Sequence, residues 1–264
     1  MKVFISADME GITGVTAWDE TDLNHKDHIK AARQMTREVA AAAQAAIDLG
    51  YEVIVKDAHD SARNILINEL PRGVRVIRGW TACPKAMMAG LDESFDAVVF
   101  IGYHTSGGKD GNPLAHSFSY SKIFTCSING KIASEFSFNR QLANYYGVPC
   151  VFISGDQEVC NEARAAILGI ETLAVKEAEG KATLDMHPED ALEKIYEGVT
   201  EGLKKKDQLI QKEPEYYHVS FQFRLHDLAH RASFYPGVQR VSPNEIVFEG
   251  KDIMEVLTTK MFIV

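Results

Sequence analysis

The apolar residues of this chain form short continuous runs that alternate with longer amphipathic stretches. Runs at residues 2–8, 52–57 and 97–102 predict buried strands, because a strand covered on both faces loses its polar alternation. Residues 27–49 are rich in Ala and contain no Gly or Pro, which predicts a helix that ends at Gly50. This strand–helix–strand order predicts a parallel sheet with right-handed crossovers.

The same repetition continues through the middle of the chain. Residues 105–113 are rich in turn formers and predict a loop, which is open to three roles: a lid, an oligomer contact or a simple surface loop. Asn129-Gly130 is the strongest hairpin dipeptide, and short apolar runs flank it. We predict further helices at residues 64–69, 84–89, 134–146 and 157–168, and further strands at residues 74–77, 123–128, 131–133, 150–154 and 172–176.

The pattern changes near residue 177. A long amphipathic helix is predicted at about residues 188–210, with Pro188 in the first turn, where a helix accepts proline. Later elements are strands near residues 217–223, 238–241 and 245–248 and a last helix from about residue 252. We therefore predict an α/β fold with a mainly parallel central sheet and flanking helices, plus a smaller C-terminal α+β module. The larger domain, with the candidate chemistry described below, is placed in residues 1–180 and the module in residues 181–264.

Composition and charge narrow the class of protein. The chain has 264 residues, 45% of them apolar, which is enough to bury a core without disulfides. A net charge of −9 argues against nucleic acid or an anionic membrane as a partner. No apolar run approaches the roughly 20 residues of a membrane span and the N-terminus lacks a leader pattern, so we expect a cytoplasmic protein. Four scattered cysteines are expected to be buried free thiols: Cys83, Cys126, Cys150 and Cys160.

Acidic and imidazole side chains follow three of the predicted strands. Asp8 and Glu10 close the first strand, His59 follows the second, and His104 follows the strand at residues 97–102. The carboxyl ends of parallel strands share one edge, where open α/β sheets hold ligands. Two carboxylates placed two residues apart point to the same side and repel unless a cation lies between them. Each residue alone also fits a structural role, but their common position favours a hydrolytic metal centre.

Two further residues are candidates for the same site. His116 lies beyond the loop and is open to two roles, as a metal ligand or as a general acid–base. Glu135 opens a predicted helix, where an acid also stabilises the helix dipole. If Asp8, Glu10 and Glu135 supply three negative charges, two divalent ions and one hydroxide give a neutral centre. Oxygen and imidazole ligands without thiolate fit zinc, manganese or cobalt.

Five short motifs occur in order along the chain: Asp8-Met9-Glu10-Gly11-Ile12-Thr13-Gly14, Asp57-Ala58-His59, Gly102-Tyr103-His104, His116-Ser117 and Glu135. Together they resemble the signature of peptidase family M55, the zinc D-aminopeptidases of the dipeptide-transport-associated type. The similarity covers most of the chain, because it extends through Ser154-Gly155-Asp156, Ala174-Val175-Lys176 and Tyr235-Pro236-Gly237. The order and spacing of the five motifs are specific, whereas no single motif is.

The resemblance implies a role for each candidate residue. It implies that Asp8 bridges two zinc ions, that His116 is the catalytic residue, and that four residues complete the metal ligands: Glu10, His59, His104 and Glu135. Members of the family form a decameric ring whose sites face an inner channel, which implies that this chain is a homo-oligomer. Their activity removes N-terminal D-amino acids, such as D-alanine, from short peptides.

We therefore expect a dinuclear zinc aminopeptidase that hydrolyses N-terminal residues, with D-amino acids preferred, from short peptides by metal-activated water and His116. A two-metal amidohydrolase or phosphoesterase is one alternative, although no arginine clamp stands near the motifs. A non-catalytic metal- or peptide-binding subunit of a transport operon is another. Residues 105–115 and 177–188 depart from the family pattern, which leaves the preferred side chain and its chirality open.

Overall fold

The computed structural model describes residues 1–211 and 214–264. Within them the chain forms fourteen strands, numbered here in chain order. They are β1 (Lys2–Ala7), β2 (Glu52–Asp57), β3 (Arg75–Ile77), β4 (Ala97–Tyr103), β5 (Ile123–Ile128), β6 (Lys131–Ile132), β7 (Cys150–Asp156), β8 (Ile167–Leu168), β9 (Glu171–Glu179), β10 (Ala182–Asp185), β11 (Ile210–Gln211), β12 (Tyr217–Phe223), β13 (Gln239–Ser242) and β14 (Glu245–Gly250).

The same residues form seven α-helices and three single turns of 3-10 helix. The longest helix ends where Gly50 adopts a left-handed conformation (φ 82°), which a residue with a side chain rarely accepts. The helices are α1 (Trp18–Thr21), α2 (His28–Asp48), α3 (Glu135–Tyr145), α4 (Gln157–Ala166), α5 (Pro188–Lys204), α6 (His226–Ala232) and α7 (Ile253–Ile263), and the 3-10 turns are Ile67–Glu69, Ala86–Met88 and Lys206–Gln208.

A seven-stranded sheet forms the centre of the fold, in the order β10-β9-β7-β4-β1-β2-β3. All neighbouring strands are parallel except the edge pair β10 and β9. Every residue of β4 and β7 is buried, as their apolar sequences predict. The predicted α/β class with a mainly parallel central sheet is confirmed.

Hydrophobic cores cover both faces of this sheet. Val3 and Ile5 of β1 point into a core that α2 and α5 close. Phe4, between them, points to the opposite face and into a core that includes residues of α3, α4, α7 and β12. This alternation, imposed by the two-residue period of a strand, fixes which face each side chain of β1 occupies.

A second, antiparallel sheet packs against the latter core, in the order β13-β14-β12-β5-β6. Burial alternates along β12, so Tyr217, Val219, Phe221 and Phe223 face the core. In this sheet β5 and β6 precede residue 180, whereas β12, β13 and β14 follow it. Helix α5 also follows residue 180, and it packs on α2 of the N-terminal part. The division into domains at residue 180 stays a prediction.

Some predicted helices are shorter in the structure. The helix expected at residues 64–69 is reduced to Ile67–Glu69, because the backbone N–H groups of Asn64 and Ile65 donate to Asp57 Oδ2 instead of forming a helical turn. The helix expected at residues 84–89 is a 3-10 turn, Ala86–Met88. The helix expected at residues 157–168 ends at residue 166, and the one expected at residues 188–210 ends at residue 204. In both cases the last predicted residues form a short strand instead, because β8 pairs with β11.

Two composition-based predictions can be compared with the described residues. Cys126, Cys150 and Cys160 are buried free thiols, and Cys83 is a half-buried one. None of the helices formed by residues 1–211 and 214–264 has the length and apolar character needed to cross a membrane.

Candidate metal centre

The carboxyl ends of β4, β1 and β2 lie side by side. Beyond the end of β1, the Asp8 N–H donates to Ile101 O of β4 (2.8 Å), and Ala58 after β2 donates to the end of β1 (2.8 Å). These bonds continue the parallel pairing past the last residue of each strand. The side chains of Asp8, His59 and His104 therefore leave the sheet at one edge, where the sequence places them.

Gly11 allows the chain to turn tightly after the two acidic residues. Its N–H donates to Gly102 O (2.9 Å), and a Cβ at this position would lie 1.9 Å from Tyr103 O. No side chain fits such an approach, so glycine is required here. The turn holds Glu10 against the end of β4, beside His104.

The first group of side chains consists of Asp8, Glu10 and His59, all buried. His59 Nδ1 lies 3.2 Å from Asp8 Oδ1 and 3.0 Å from Glu10 Oε2. The three possible ligand atoms lie within 4.8 Å of one another. Two carboxylates and one imidazole nitrogen thus converge on a space of the size that a metal ion needs.

The second group shares Asp8 with the first and adds His104 and Glu135. His104 Nε2 lies 3.5 Å from Asp8 Oδ2 and 3.8 Å from Glu135 Oε2. A third group consists of Glu10, His104 and His116, whose ring stacks on that of His104 with centroids 4.5 Å apart. The structure therefore brings all six residues predicted from the sequence into one cluster.

Each histidine of the cluster is oriented by a backbone carbonyl. The ring nitrogens directed away from the carboxylates lie close to carbonyl oxygens: His59 Nε2 to Thr21 O (2.9 Å), His104 Nδ1 to Thr105 O (2.9 Å) and His116 Nδ1 to Leu114 O (3.0 Å). A carbonyl oxygen only accepts, so this nitrogen carries the proton. In the neutral ring, the other nitrogen presents a lone pair to the acidic side chains, as in metal-binding histidines.

Two polar atoms at the centre of the cluster have no hydrogen-bond partner within residues 1–211 and 214–264. They are Glu10 Oε2 and His104 Nε2, and both are buried. Glu10 Oε2 is close to His59 Nδ1 (3.0 Å), but the hydrogen bond of that nitrogen is with Asp8 Oδ1. Buried polar atoms are nearly always satisfied, since leaving one unpaired costs about 1–3 kcal/mol. A divalent cation would satisfy both atoms at once. The set of carboxylate oxygens and imidazole nitrogens fits zinc.

Electrostatics in the cluster point the same way. Burial raises the pKa of Glu10, but the neighbouring imidazoles, His59 first, outweigh it and hold that pKa well below its usual range. Burial lowers the pKa of His59 and His104, but the carboxylates around them raise the first well above its usual value and the second to about 10. Burial also raises the pKa of Glu135. A metal ion at this site would compete with protons for the imidazole nitrogens, so its binding would weaken as the pH falls.

Five residues of the cluster, all except His104, line a cavity of about 820 Å³. Trp18 stacks on Tyr120 with centroids 4.4 Å apart and packs edge-on against His116 at 5.4 Å, so that aromatic rings form one wall. Trp80 and Lys260 also line the cavity. Sequence reasoning did not identify Trp18 or Lys260, because neither lies in a motif and the contacts that place them are long-range.

Two buried charged residues hold the loops that carry the cluster. The Asp156 carboxylate accepts hydrogen bonds from Thr105 N and Oγ1 (both 2.7 Å), directly after His104. The Lys176 ammonium donates to Glu10 O (3.1 Å). These residues close the segments Ser154-Gly155-Asp156 and Ala174-Val175-Lys176 of β7 and β9, whose similarity to the M55 pattern has a structural explanation in these contacts.

Asp57 supports the His59 loop without touching the imidazole. Its carboxylate accepts from Asn64 N (2.6 Å), Asn64 Nδ2 (2.8 Å) and Ile65 N (2.8 Å), and Asn64 Nδ2 also donates to His59 O (2.8 Å). An aspartate two residues before a histidine could orient the imidazole or cap the next helix. The structure shows that it orders the backbone of residues 59–65.

We expect Asp57→Ala to lower the free energy of unfolding by about 3 kcal/mol, because it leaves buried N–H donors without an acceptor. Urea denaturation of both proteins measures this difference. Asp92→Ala is the matched control, since Asp92 accepts from Ser94 N and Oγ near the surface and its loss should cost less than about 1 kcal/mol. Equal effects of the two substitutions would contradict the role given to Asp57.

Three comparisons with known proteins agree. A sequence model of the family Peptidase M55, described as D-aminopeptidase, matches residues 1–262. The D-aminopeptidase of Bacillus subtilis (strain 168) is 28% identical over 259 residues, which are 97% of this chain and 93% of that protein. The solved Zn-dependent D-aminopeptidase DppA from Bacillus subtilis, a self-compartmentalizing protease, superposes with a TM-score of 0.93 at 26% identity and covers 100% of this chain and 96% of its own.

The fold and the buried cluster define an α/β protein with the donor set of a metallohydrolase at the edge of its parallel sheet. The match over residues 1–262 identifies the family: the chain belongs to the M55 peptidases, the D-aminopeptidases. The family resemblance predicted from the sequence and the prediction of a metallo-aminopeptidase are both confirmed.

Proposed function

We propose that this protein is a dinuclear zinc aminopeptidase that removes N-terminal D-amino acids from short peptides. The observation that carries the proposal is the position of Asp8, whose two carboxylate oxygens face two different groups of donors. A carboxylate shared in this way is suited to bridge two cations. The zinc-dependent relative of the same fold supports zinc as the metal.

The residues divide into two ligand sets. Asp8, Glu10 and His59 would hold one ion, and Asp8, His104 and Glu135 the other. Two zinc ions would polarise the scissile carbonyl and bring the pKa of a water molecule to near neutrality. The rings of His59 and His104 are fixed by their carbonyl partners, so both would enter the ligand sets already oriented.

His116 is the residue best placed to move a proton. Its Nδ1 is engaged by Leu114 O, which leaves Nε2 directed at the cluster, 3.8 Å from Glu135 Oε1. Its side chain is 12% exposed and lines the cavity, so a bound peptide can reach it. In peptide hydrolysis the departing nitrogen leaves as an amine and needs a proton, which His116 Nε2 would supply after taking one from the attacking water.

The Bacillus subtilis relative is a self-compartmentalizing protease, which supports a homo-oligomer for this chain. The decameric ring is the part of the proposal that rests on the family resemblance alone. Such a ring would restrict access to short peptides. The cytoplasmic location expected from the sequence stays a prediction.

The test combines metal content with turnover. Protein loaded with zinc should contain about two ions per subunit and hydrolyse D-alanyl-D-alanine about 100-fold faster, in kcat/KM, than L-alanyl-L-alanine. A phosphate ester such as p-nitrophenyl phosphate serves as the control substrate and should not be turned over. Faster hydrolysis of the L-dipeptide would contradict the stereochemical part of the proposal. Turnover of the phosphate ester alone, or bound metal without any turnover, would contradict the peptidase itself.

A further inference from the structure

Lys260 is a buried cation beside the cluster that the proposed mechanism does not use. It lies on α7, near the end of the chain, is only 7% exposed, and lines the same cavity as His116 and Glu135. Its ammonium lies over the Phe118 ring, 3.8 Å from the centroid. Within residues 1–211 and 214–264, no carboxylate lies within ion-pair distance of the Lys260 ammonium, and it donates no hydrogen bond.

Two other buried lysines, Lys56 and Lys176, provide the contrast. Lys56 Nζ donates to Asp57 O (2.6 Å) and Gly79 O (2.9 Å), and Lys176 Nζ donates to Glu10 O (3.1 Å) and Val15 O. Such partners offset the cost of taking an ammonium out of water. Among the described residues, the Lys260 ammonium contacts the Phe118 ring and has no polar partner, which leaves its three donors available to a ligand in the cavity.

Phe118 fixes this ammonium relative to the cluster. Its backbone N–H donates to Glu135 Oε1 (2.5 Å), while its ring lies under Lys260 and packs edge-on against Phe138. Phe118 has a positive φ of 63°, a conformation that bulky residues rarely adopt and that persists where the surroundings enforce it. The strained residue therefore couples a candidate metal ligand to the position of the cation.

The charges around the cavity indicate which kind of ligand the Lys260 ammonium could bind. Lys260 is the sole lysine or arginine among the described residues that line the cavity. Six acidic residues line it as well: Asp8, Glu10, Asp19, Asp22, Asp60 and Glu135. If metal ions neutralise Asp8, Glu10 and Glu135, the acids left on the cavity wall are Asp19, Asp22 and Asp60. These would repel a substrate carboxylate, whereas Lys260 would attract it. A short peptide with a free C-terminus carries such a carboxylate a few bonds beyond the scissile amide.

We propose that Lys260 binds the C-terminal carboxylate of the substrate and thereby selects short free-acid peptides. This inference rests on the proposed peptidase function and specifies its substrate class. The ammonium would donate two or three charge-assisted hydrogen bonds to the carboxylate, and this pairing would also fix the distance from the C-terminus to the metal centre. Peptides whose C-terminus is blocked would lose this interaction.

The first arm of the test uses the unaltered protein. We expect kcat/KM for D-alanyl-D-alanine to exceed that for D-alanyl-D-alaninamide by about 10- to 100-fold, mainly through KM, because only the former carries the carboxylate. Equal values, or a preference for the amide, would overturn the proposal. Absence of turnover with both D-dipeptides would instead refute the proposed function, so the two failures are distinguishable.

The second arm removes the cation. Lys260→Met keeps most of the side-chain volume and should reduce kcat/KM for the free acid by about 10- to 100-fold while changing that for the amide less than about threefold. Lys251→Met, an exposed lysine just before α7, is the matched control and should leave both values unchanged. A circular dichroism melt of each variant checks its fold. Equal losses on both substrates would place Lys260 at the scissile carbonyl and overturn the carboxylate assignment, as would unchanged kinetics.

Discussion

Replacement of Asp8 by alanine is expected to remove both metal ions and to reduce peptide hydrolysis by at least about 10³-fold, since bound metal supplies several kcal/mol of transition-state stabilisation. Asp8 belongs to both groups of donors, with Oδ1 3.2 Å from His59 and Oδ2 3.5 Å from His104. Its loss would take one ligand from each of the two proposed ions. It also removes the shared negative charge that would hold two cations close together.

Elemental analysis of the purified variant, normalised to subunit concentration, measures this directly. Asp207→Ala is a suitable control, because Asp207 is 88% exposed and lies far along the chain in a 3-10 turn. The control should keep the metal content and kcat/KM of the unaltered protein. Two ions retained by Asp8→Ala would refute the bridging role, and a single retained ion would show that only one group of donors depends on Asp8.

A milder substitution separates charge from geometry. Asp8→Asn preserves the side-chain volume and one oxygen but removes the negative charge, so we expect weaker metal binding that excess zinc partly restores. The alanine variant should not respond to excess zinc in this way. Calorimetric titration of zinc into both metal-free variants compares the two. Identical affinities would show that Asp8 acts through its negative charge alone, because the volume and oxygen that asparagine keeps would then contribute nothing.

The cluster could be predicted from the sequence because most of its residues directly follow strands that can be recognised from the local pattern of apolar residues. Asp8, His59 and His104 each follow a continuous apolar run, and parallel pairing of those runs brings their ends to one edge. The topology needed no long-range knowledge beyond the rule that strand–helix–strand units cross over in one direction. His116 and Glu135 were candidates from the sequence, but their roles depended on the family resemblance, since a loop histidine and a helix N-terminal acid have ordinary structural explanations.

Other features could not be read from local pattern. The antiparallel sheet pairs β5 with β12, about ninety residues later, and the sequence of neither strand indicates which strand it pairs with. Lys260 reaches the cavity only because α7 packs beside α3, and Asp57 shortens a predicted helix by capturing two of its N–H groups. In each case a tertiary contact outweighs a local preference, which is the usual limit of propensity arguments.

Replacement of His116 by alanine should separate chemistry from metal binding. His116 lies outside the two groups that share Asp8, so we expect the variant to keep its metal content. Its Nε2 is the ring atom directed at the cluster, and loss of a general acid–base reduces kcat by about 10²- to 10⁴-fold. KM should change much less, because Trp18 and Tyr120 still form the cavity wall.

The decisive measurement is chemical rescue. The substitution vacates a space between the ring of His104 and the edge of Trp18, into which free imidazole can enter. Added imidazole should raise kcat of His116→Ala but not of the unaltered protein, because only a missing proton donor can be replaced from solution. The exposed His226 provides the control, and its alanine variant should match the unaltered protein with and without imidazole. Full activity of His116→Ala would refute the catalytic role, and loss of metal with loss of activity would make His116 a ligand instead.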